Sequence, residues 1–142
     1  MRLLLILSFL ALLAAPQDLA AQKKLPSKIK VANTKRPNSL HVDAAELASF
    51  YQNYDQQPVA FNYLKVVKTD SAYYLLSRAE KDTRIFAFEL KQKGKRLSLS
   101  NLLPVQTCGQ GDLTLDNFVK HTGKITGCLL GRHVIIEPKP AD

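Results

Sequence analysis

The sequence predicts a mainly β domain of the α+β class. It should be an antiparallel meander of about six or seven short strands with one N-terminal amphipathic helix, a sheet short enough to curl into a barrel-like form. Three observations carry this. Only one segment has convincing helical periodicity, and Pro58 bounds it. Beyond Pro58 the apolar residues alternate in short runs separated by turn residues. No internal repeat or low-complexity stretch interrupts the pattern.

The chain opens with Met1-Arg2 and a run of 13 residues, Leu3 to Ala15, that is apolar apart from Ser8. A short basic start followed by such a run has the layout of a signal peptide, and it falls short of the roughly 20 apolar residues that span a bilayer. Leu19-Ala20-Ala21 offers a small residue for cleavage, so residues 1–21 are expected to be removed. Taking these 21 from 142 leaves 121 residues, one domain's worth, with no later stretch of membrane-spanning length.

Residues 22–39 are polar and basic with Pro26 and Pro37, and they read as an arm or linker ahead of a β-rich domain at 40–142. Within the arm, Lys28-Ile29-Lys30-Val31 alternates as an added strand would. In Asp43-Ala44-Ala45-Glu46 the two carboxylates have the spacing of a capping box, and Val42 and Leu47 have that of a hydrophobic staple. Ala44, Leu47, Tyr51 and Tyr54 then make one apolar stripe on a helix of about three turns. Packing is the ordinary use of such a stripe.

Val59, Phe61 and Tyr63 begin a strand that continues through Val67 to a turn at Thr69-Asp70-Ser71, and Ala72 to Leu76 forms the next. Arg84 to Leu90 follows, with Phe86, Phe88 and Leu90 on one face and Ile85, Ala87 and Glu89 on the other. Gly94 makes a turn into a strand containing Leu97 and Leu99. Further on, Asn117 to Lys120 and Ile125 to Leu130 flank a turn at Thr122-Gly123-Lys124 and read as a hairpin, and His133 to Glu137 is a final strand ended by Pro138.

The net charge of +8 is unevenly spread. Lys23, Lys24, Lys28, Lys30, Lys35 and Arg36 lie in the arm with no acid among them, a local +6 that leaves only +2 for the rest of the expected mature chain. Lys91, Lys93, Lys95 and Arg96 crowd one hairpin turn. The set Lys23, Lys24, Lys28, Lys30, Lys35, Arg36, Lys93, Lys95 and Arg96 is therefore a candidate polyanion contact, set against the plainer reading of a solvated, mobile arm. Tyrosines beside Lys65, Lys68 and Arg78 have the makings of a base-stacking sheet. For an exported chain nucleic acid is a poor fit, and an acidic envelope component or an acidic partner protein a better one.

Cys108 and Cys128 are the only cysteines, and an even count in an exported chain reads as a disulfide. Closing a loop of that length stabilises a fold by roughly 3 kcal/mol on the chain-entropy argument. Patterns for a nucleophile elbow, a metalloprotease helix, a phosphate loop and a dinucleotide fingerprint are absent. Cys108-Gly109-Gln110-Gly111-Asp112 reads as a tight turn rather than a phosphate cradle, since no strand-to-helix context surrounds it. His41, His121 and His133 have no ligand spacing, so no metal or cofactor is expected, and any such site would have to be assembled by the fold. Asp112 and Asp116 are too few for a calcium loop and suit turn capping.

Thr107-Cys108-Gly109, Phe118, Gly123-Lys124-Ile125-Thr126-Gly127-Cys128 and the earlier Ser71-Ala72-Tyr73-Tyr74-Leu75 together resemble a group of small exported Bacteroidota proteins of unknown function. The resemblance implies an envelope or secreted setting and no activity. Where that group has further cysteines, this chain has residues such as Leu129 and Leu130, so no multi-disulfide or metal-binding role carries over.

The expected function is a non-catalytic exported binding or accessory module, periplasmic or extracellular. A carrier whose sheet curls round a small apolar ligand, lined by Tyr63, Phe86 and Phe88, is the alternative. An enzyme with a site gathered from distant residues is a third.

Overall fold

The computed structural model describes residues 27–56, 58–100, 102–109, 111–115 and 123–138. The expected signal peptide, Lys23 and Lys24, Asp116 and the strand drawn over 117–120 lie outside these. The elements run β1 (Ile29–Asn33), α1 (Ala44–Asp55), β2 (Phe61–Lys68), β3 (Tyr73–Ala79), β4 (Ile85–Lys93), β5 (Arg96–Leu99), β6 (Ile125–Leu129) and β7 (Arg132–Ile136). The fold is mainly β, as the sequence predicts: a five-stranded antiparallel sheet curls into a half-barrel, and β6 and β7 form a small second sheet.

In the large sheet the order is β1-β5-β4-β3-β2, so β2 to β5 are the expected meander and β1 is added at its far edge. Residues 29–33, assigned to an arm for their charge, therefore belong to the folded body. The reason lies in the alternation noted above: Val31 and Ala32 are fully buried while Lys30 stays exposed, so a strand can be basic on one face and still contribute to the core on the other. Beyond β1 the backbone remains tied in, with His41 donating its N–H to the Val31 carbonyl at 2.8 Å.

Asp43 caps α1 as predicted, accepting the Glu46 backbone N–H at 2.7 Å. Val42 and Leu47 are both buried, as a staple requires. The stripe is rotated from the expected one, because Leu47, Phe50 and Tyr51 are buried and Tyr54 is half exposed. Gln56, in the left-handed region at φ 59°, ends the helix two residues before Pro58.

The faces of the sheet bury different clusters. On the helix side, Leu47, Phe50 and Tyr51 meet Phe61, Leu75, Phe86, Phe88, Leu97 and Leu99. Tyr51 sits edge-on to Phe86 at 5.4 Å and to Phe88 at 5.9 Å, and Phe61 to Phe86 at 5.1 Å, each such pair adding about 0.5–1.5 kcal/mol beyond area burial. On the other side, Val67, Tyr74, Leu76 and Ala87 are covered by Val105, Leu113 and the β6–β7 hairpin residues Ile125, Leu129, Val134 and Ile136.

The described partner of β6 is β7, a pairing the sequence does not suggest; the segment expected opposite it, 117–120, lies outside the described residues. Strand β6 pairs with β7 across Leu130-Gly131, both at positive φ (50° and 76°), the backbone of a two-residue hairpin turn. Residues 102–107 dock this hairpin on the sheet: Val105 donates to the Ala87 carbonyl at 2.8 Å, while Gln106 and Cys128 exchange backbone hydrogen bonds of 3.0 and 2.7 Å. Gly127 makes that approach possible, since a Cβ there would stand 2.6 Å from the Gln106 carbonyl oxygen.

Candidate functional site: a cationic face on β1, β5 and β4

Strand β4 is nine residues long, and its odd-numbered positions point away from the helix. Ile85 and Ala87 belong to the buried cluster beneath the hairpin. Glu89 follows at the border, joined to Arg132 of β7 at 3.1 Å. Lys91 and Lys93 come next and are exposed. One uninterrupted period of two thus passes from apolar cover to open cationic surface.

Register extends this surface across two more strands. Lys93 faces Arg96 and Lys91 faces Ser98 on β5, and Arg96 and Ser98 face Asn33 and Lys30 on β1. Ser98, buried between these rows, donates its hydroxyl to the Lys91 carbonyl at 3.3 Å. Gly94, at φ 59°, turns β4 tightly into β5. The Thr34 N–H then holds the Lys95 carbonyl at 2.9 Å, pinning the turn against the end of β1. Lys28, Lys30, Asn33, Lys93, Lys95 and Arg96 line one groove of about 470 Å³, with no carboxylate among these lining residues. Such a concentration of one sign of charge raises the local potential and attracts anions.

Of the nine cations predicted to contact a polyanion, five meet in this groove. Lys35 and Arg36 are exposed in the turn after β1, where the Asn33 carbonyl accepts the Arg36 N–H at 3.0 Å, and they do not line it. Lys23 and Lys24 are outside the described residues. Asn33 carries no charge to mark it in the sequence, whereas Lys91, already grouped with the cations of the hairpin turn, continues the alternation through Ile85, Ala87 and Glu89 and borders the groove's face without lining it.

The aromatic trio does not assemble. Phe86 and Phe88 are packed under α1, whereas Tyr63 lies on the opposite face with Lys65 and Val67. A register shift separates them: Phe61 pairs with Ala79 but Tyr63 with Arg78, so a bulge moves Tyr63 off the face that Phe61 keeps. Tyr63 instead borders an apolar depression of about 380 Å³ with Val67, Leu76, Ile85, Ile125 and Pro138, and Lys65 and Arg78 are also in its lining.

Cys108 and Cys128 are bonded to each other, as predicted, with Cα atoms 5.0 Å apart. Gly109 and Gly111 have φ of 121° and 109°, and Thr107 donates its hydroxyl to the Gly111 carbonyl at 2.8 Å, so the described residues on either side of position 110 fold back on each other as a turn requires. His133, which had no partner in sequence, lies opposite Cys128 on the hairpin with Nε2 3.5 Å from Cys108 Sγ. Asp112 is exposed, and His121 lies outside the described residues.

Two tyrosines, Tyr51 on α1 and Tyr74 on β3, have displaced acidities. Burial first, then the Asp55 carboxylate, pushes the Tyr51 phenol up to about 12. Tyr74 is raised by burial and by Glu89, whose carboxylate accepts its hydroxyl at 3.4 Å. Both hydroxyls stay protonated at neutral pH and act as donors.

No family model matches the chain, and no curated protein or solved structure matches it either.

Proposed function

We propose that the chain is an exported, non-catalytic binding module whose cationic groove on β1, β5 and β4 holds an acidic polysaccharide of the cell envelope. The observation that carries this is the convergence of Lys28, Lys30, Lys93, Lys95 and Arg96, from two separate stretches of chain, on one groove with no carboxylate among its described lining residues. Its extent suits several units of an extended polymer better than one small ion. Export by residues 1–21 with cleavage after Ala21 belongs to the same reading. A disulfide is the chemistry of an oxidising compartment, and no helix among the described residues is long and apolar enough to cross a membrane.

The test is binding of the mature protein to fluorescently labelled polygalacturonate at low and physiological ionic strength. The reading expects affinity to fall steeply with salt, and Lys93→Ala/Lys95→Ala/Arg96→Ala to weaken it by about tenfold or more. Equal affinity of that variant and the wild type, or no binding at low salt, would overturn it.

A second reading keeps a specific observation. The depression beside Tyr63 combines an apolar floor with Lys65 and Arg78, which suits an amphiphile with an anionic head. A bound acyl species in native mass spectra of protein purified from its host, lost in Leu76→Arg, would favour this carrier reading over the groove.

A further inference from the structure

We propose that Cys108, Cys128 and His133 form a redox-gated site for a thiophilic metal cation of the Zn²⁺ class, closed while the disulfide is intact and opened when it is reduced. Among the described residues these three are a group whose ligating atoms all lie within 4.8 Å of one another. They are also held by structure rather than by chance proximity. Cys128 and His133 are directly opposed on β6 and β7, where side chains of a cross-strand pair share one face. Cys108 follows the segment that exchanges backbone hydrogen bonds with Cys128 itself. Cys108 and His133 are exposed and Cys128 is half-buried, so reductant and metal both have access.

The distances suit the chemistry. With metal–sulfur bonds of about 2.3 Å and metal–nitrogen bonds of about 2.0–2.1 Å, a tetrahedral ion needs sulfur–nitrogen edges of about 3.6 Å and a sulfur–sulfur edge of about 3.8 Å. His133 Nε2 already stands 3.5 Å from Cys108 Sγ. Cα atoms 5.0 Å apart let the two sulfurs reach their edge by side-chain rotation alone. Two thiolates and an imidazole select soft and borderline cations over magnesium or calcium. Three protein ligands leave the fourth position to water or an incoming donor.

Opening the site is a two-electron reduction by thiol–disulfide exchange with an external dithiol. The Cys108–Cys128 bond breaks, the dithiol closes to its own disulfide, and its two hydrogens pass to the cysteine sulfurs. Binding the cation then releases two protons as both thiols become thiolates. Reoxidation would expel the metal, which makes occupancy a readout of the redox state around the protein.

The experiment is an anaerobic Co²⁺ titration of the full mature chain before and after treatment with a phosphine reductant, followed by its tetrahedral d–d and thiolate charge-transfer absorption. Expected is one Co²⁺ per reduced chain, displaced by Zn²⁺, and none per oxidised chain. His133→Ala should weaken binding by about tenfold or more, and His41→Ala should leave it unchanged. If the reduced chain unfolds, Zn²⁺ should restore its circular dichroism. The proposal is overturned if the reduced chain takes up no Co²⁺, if the oxidised chain binds equally well, if His133→Ala keeps the wild-type affinity and spectrum, or if Zn²⁺ fails to refold an unfolded reduced chain.

Discussion

One face of the curled sheet has two halves that share a strand and little else. Under the β6–β7 hairpin, Ile85 and Ala87 join Val67, Tyr74 and Leu76 in an apolar cluster; two to four residues beyond Glu89 on the same strand, Lys91 and Lys93 stand exposed beside Arg96 and Lys30. The difference teaches that the hairpin decides where this face is core and where it is surface. Beneath the cationic half, α1 and the other face supply that part of the sheet with its own core, Leu97 and Leu99 included. A half-sheet left cationic on a scaffold already stabilised elsewhere is free to serve recognition.

The sharpest way to break this comparison is to truncate one residue on the covered side. Ile136 is fully buried, and Ile136→Ala should cost about 2–5 kcal/mol in urea unfolding with an unchanged slope. A cost below that range would mean that the hairpin is not the cover described. Gly127→Ala strikes the docking of the same hairpin, since a new Cβ would sit 2.5 Å from Val105 Cγ1 and 2.6 Å from the Gln106 carbonyl oxygen. Backbone cannot yield cheaply, and a loss of about 1–3 kcal/mol is expected in the same assay.

The hairpin turn offers a gain instead. Leu130 has φ 50° and is 70% exposed, so it has the cost of a left-handed conformation without burial in return. Leu130→Asn creates the Asn-Gly pair this turn prefers and should raise stability by about 1 kcal/mol, read as a higher melting temperature. A lowered one would say that Leu130 is held by contacts.

Alkaline titration probes the border between the halves. The folded-state pKa of Tyr74 is raised above its ordinary value of 10, so the folded chain holds its phenolic proton where the unfolded chain releases it. Its contribution to stability is therefore full below pH 10 and is lost as pH climbs through the folded pKa. Urea midpoints should fall above pH 10, and less steeply in Tyr74→Phe. Smallest of all should be Lys91→Ala with Lys93→Ala, within about 0.5 kcal/mol of wild type in unfolding, because neither side chain supports the core.

Much of this architecture can be read from the residues. The capped helix, the meander from β2 to β5 and both faces of β4 follow from spacing alone, because each is a local pattern with a local cause. What escaped depends on contacts distant in sequence. Tyr54 fits the helical stripe as well as Phe50 does, and only the position of the sheet decides between them. A bulge next to Phe61 reverses the face of Tyr63, and no residue there announces it. Leu130-Gly131 is not a recognisable hairpin signal, so the pairing of β6 with β7 is not legible in the sequence. For the cationic face, charge marks five of the residues that line the groove but not their meeting, which needs β1 to pair with β5. His133 shows the same limit, since its nearness to Cys108 is made by two strand pairings that no spacing in the sequence encodes.

The most direct test of the division between the two halves is amide chemical-shift mapping of the labelled mature protein with unlabelled polygalacturonate. The account predicts perturbations confined to Lys28, Lys30, Asn33, Lys91 to Arg96 and their neighbours, fading with added salt, with Val67, Leu76, Val134 and Ile136 unmoved. Shifts centred on the hairpin half, or spread evenly over both halves, would contradict it.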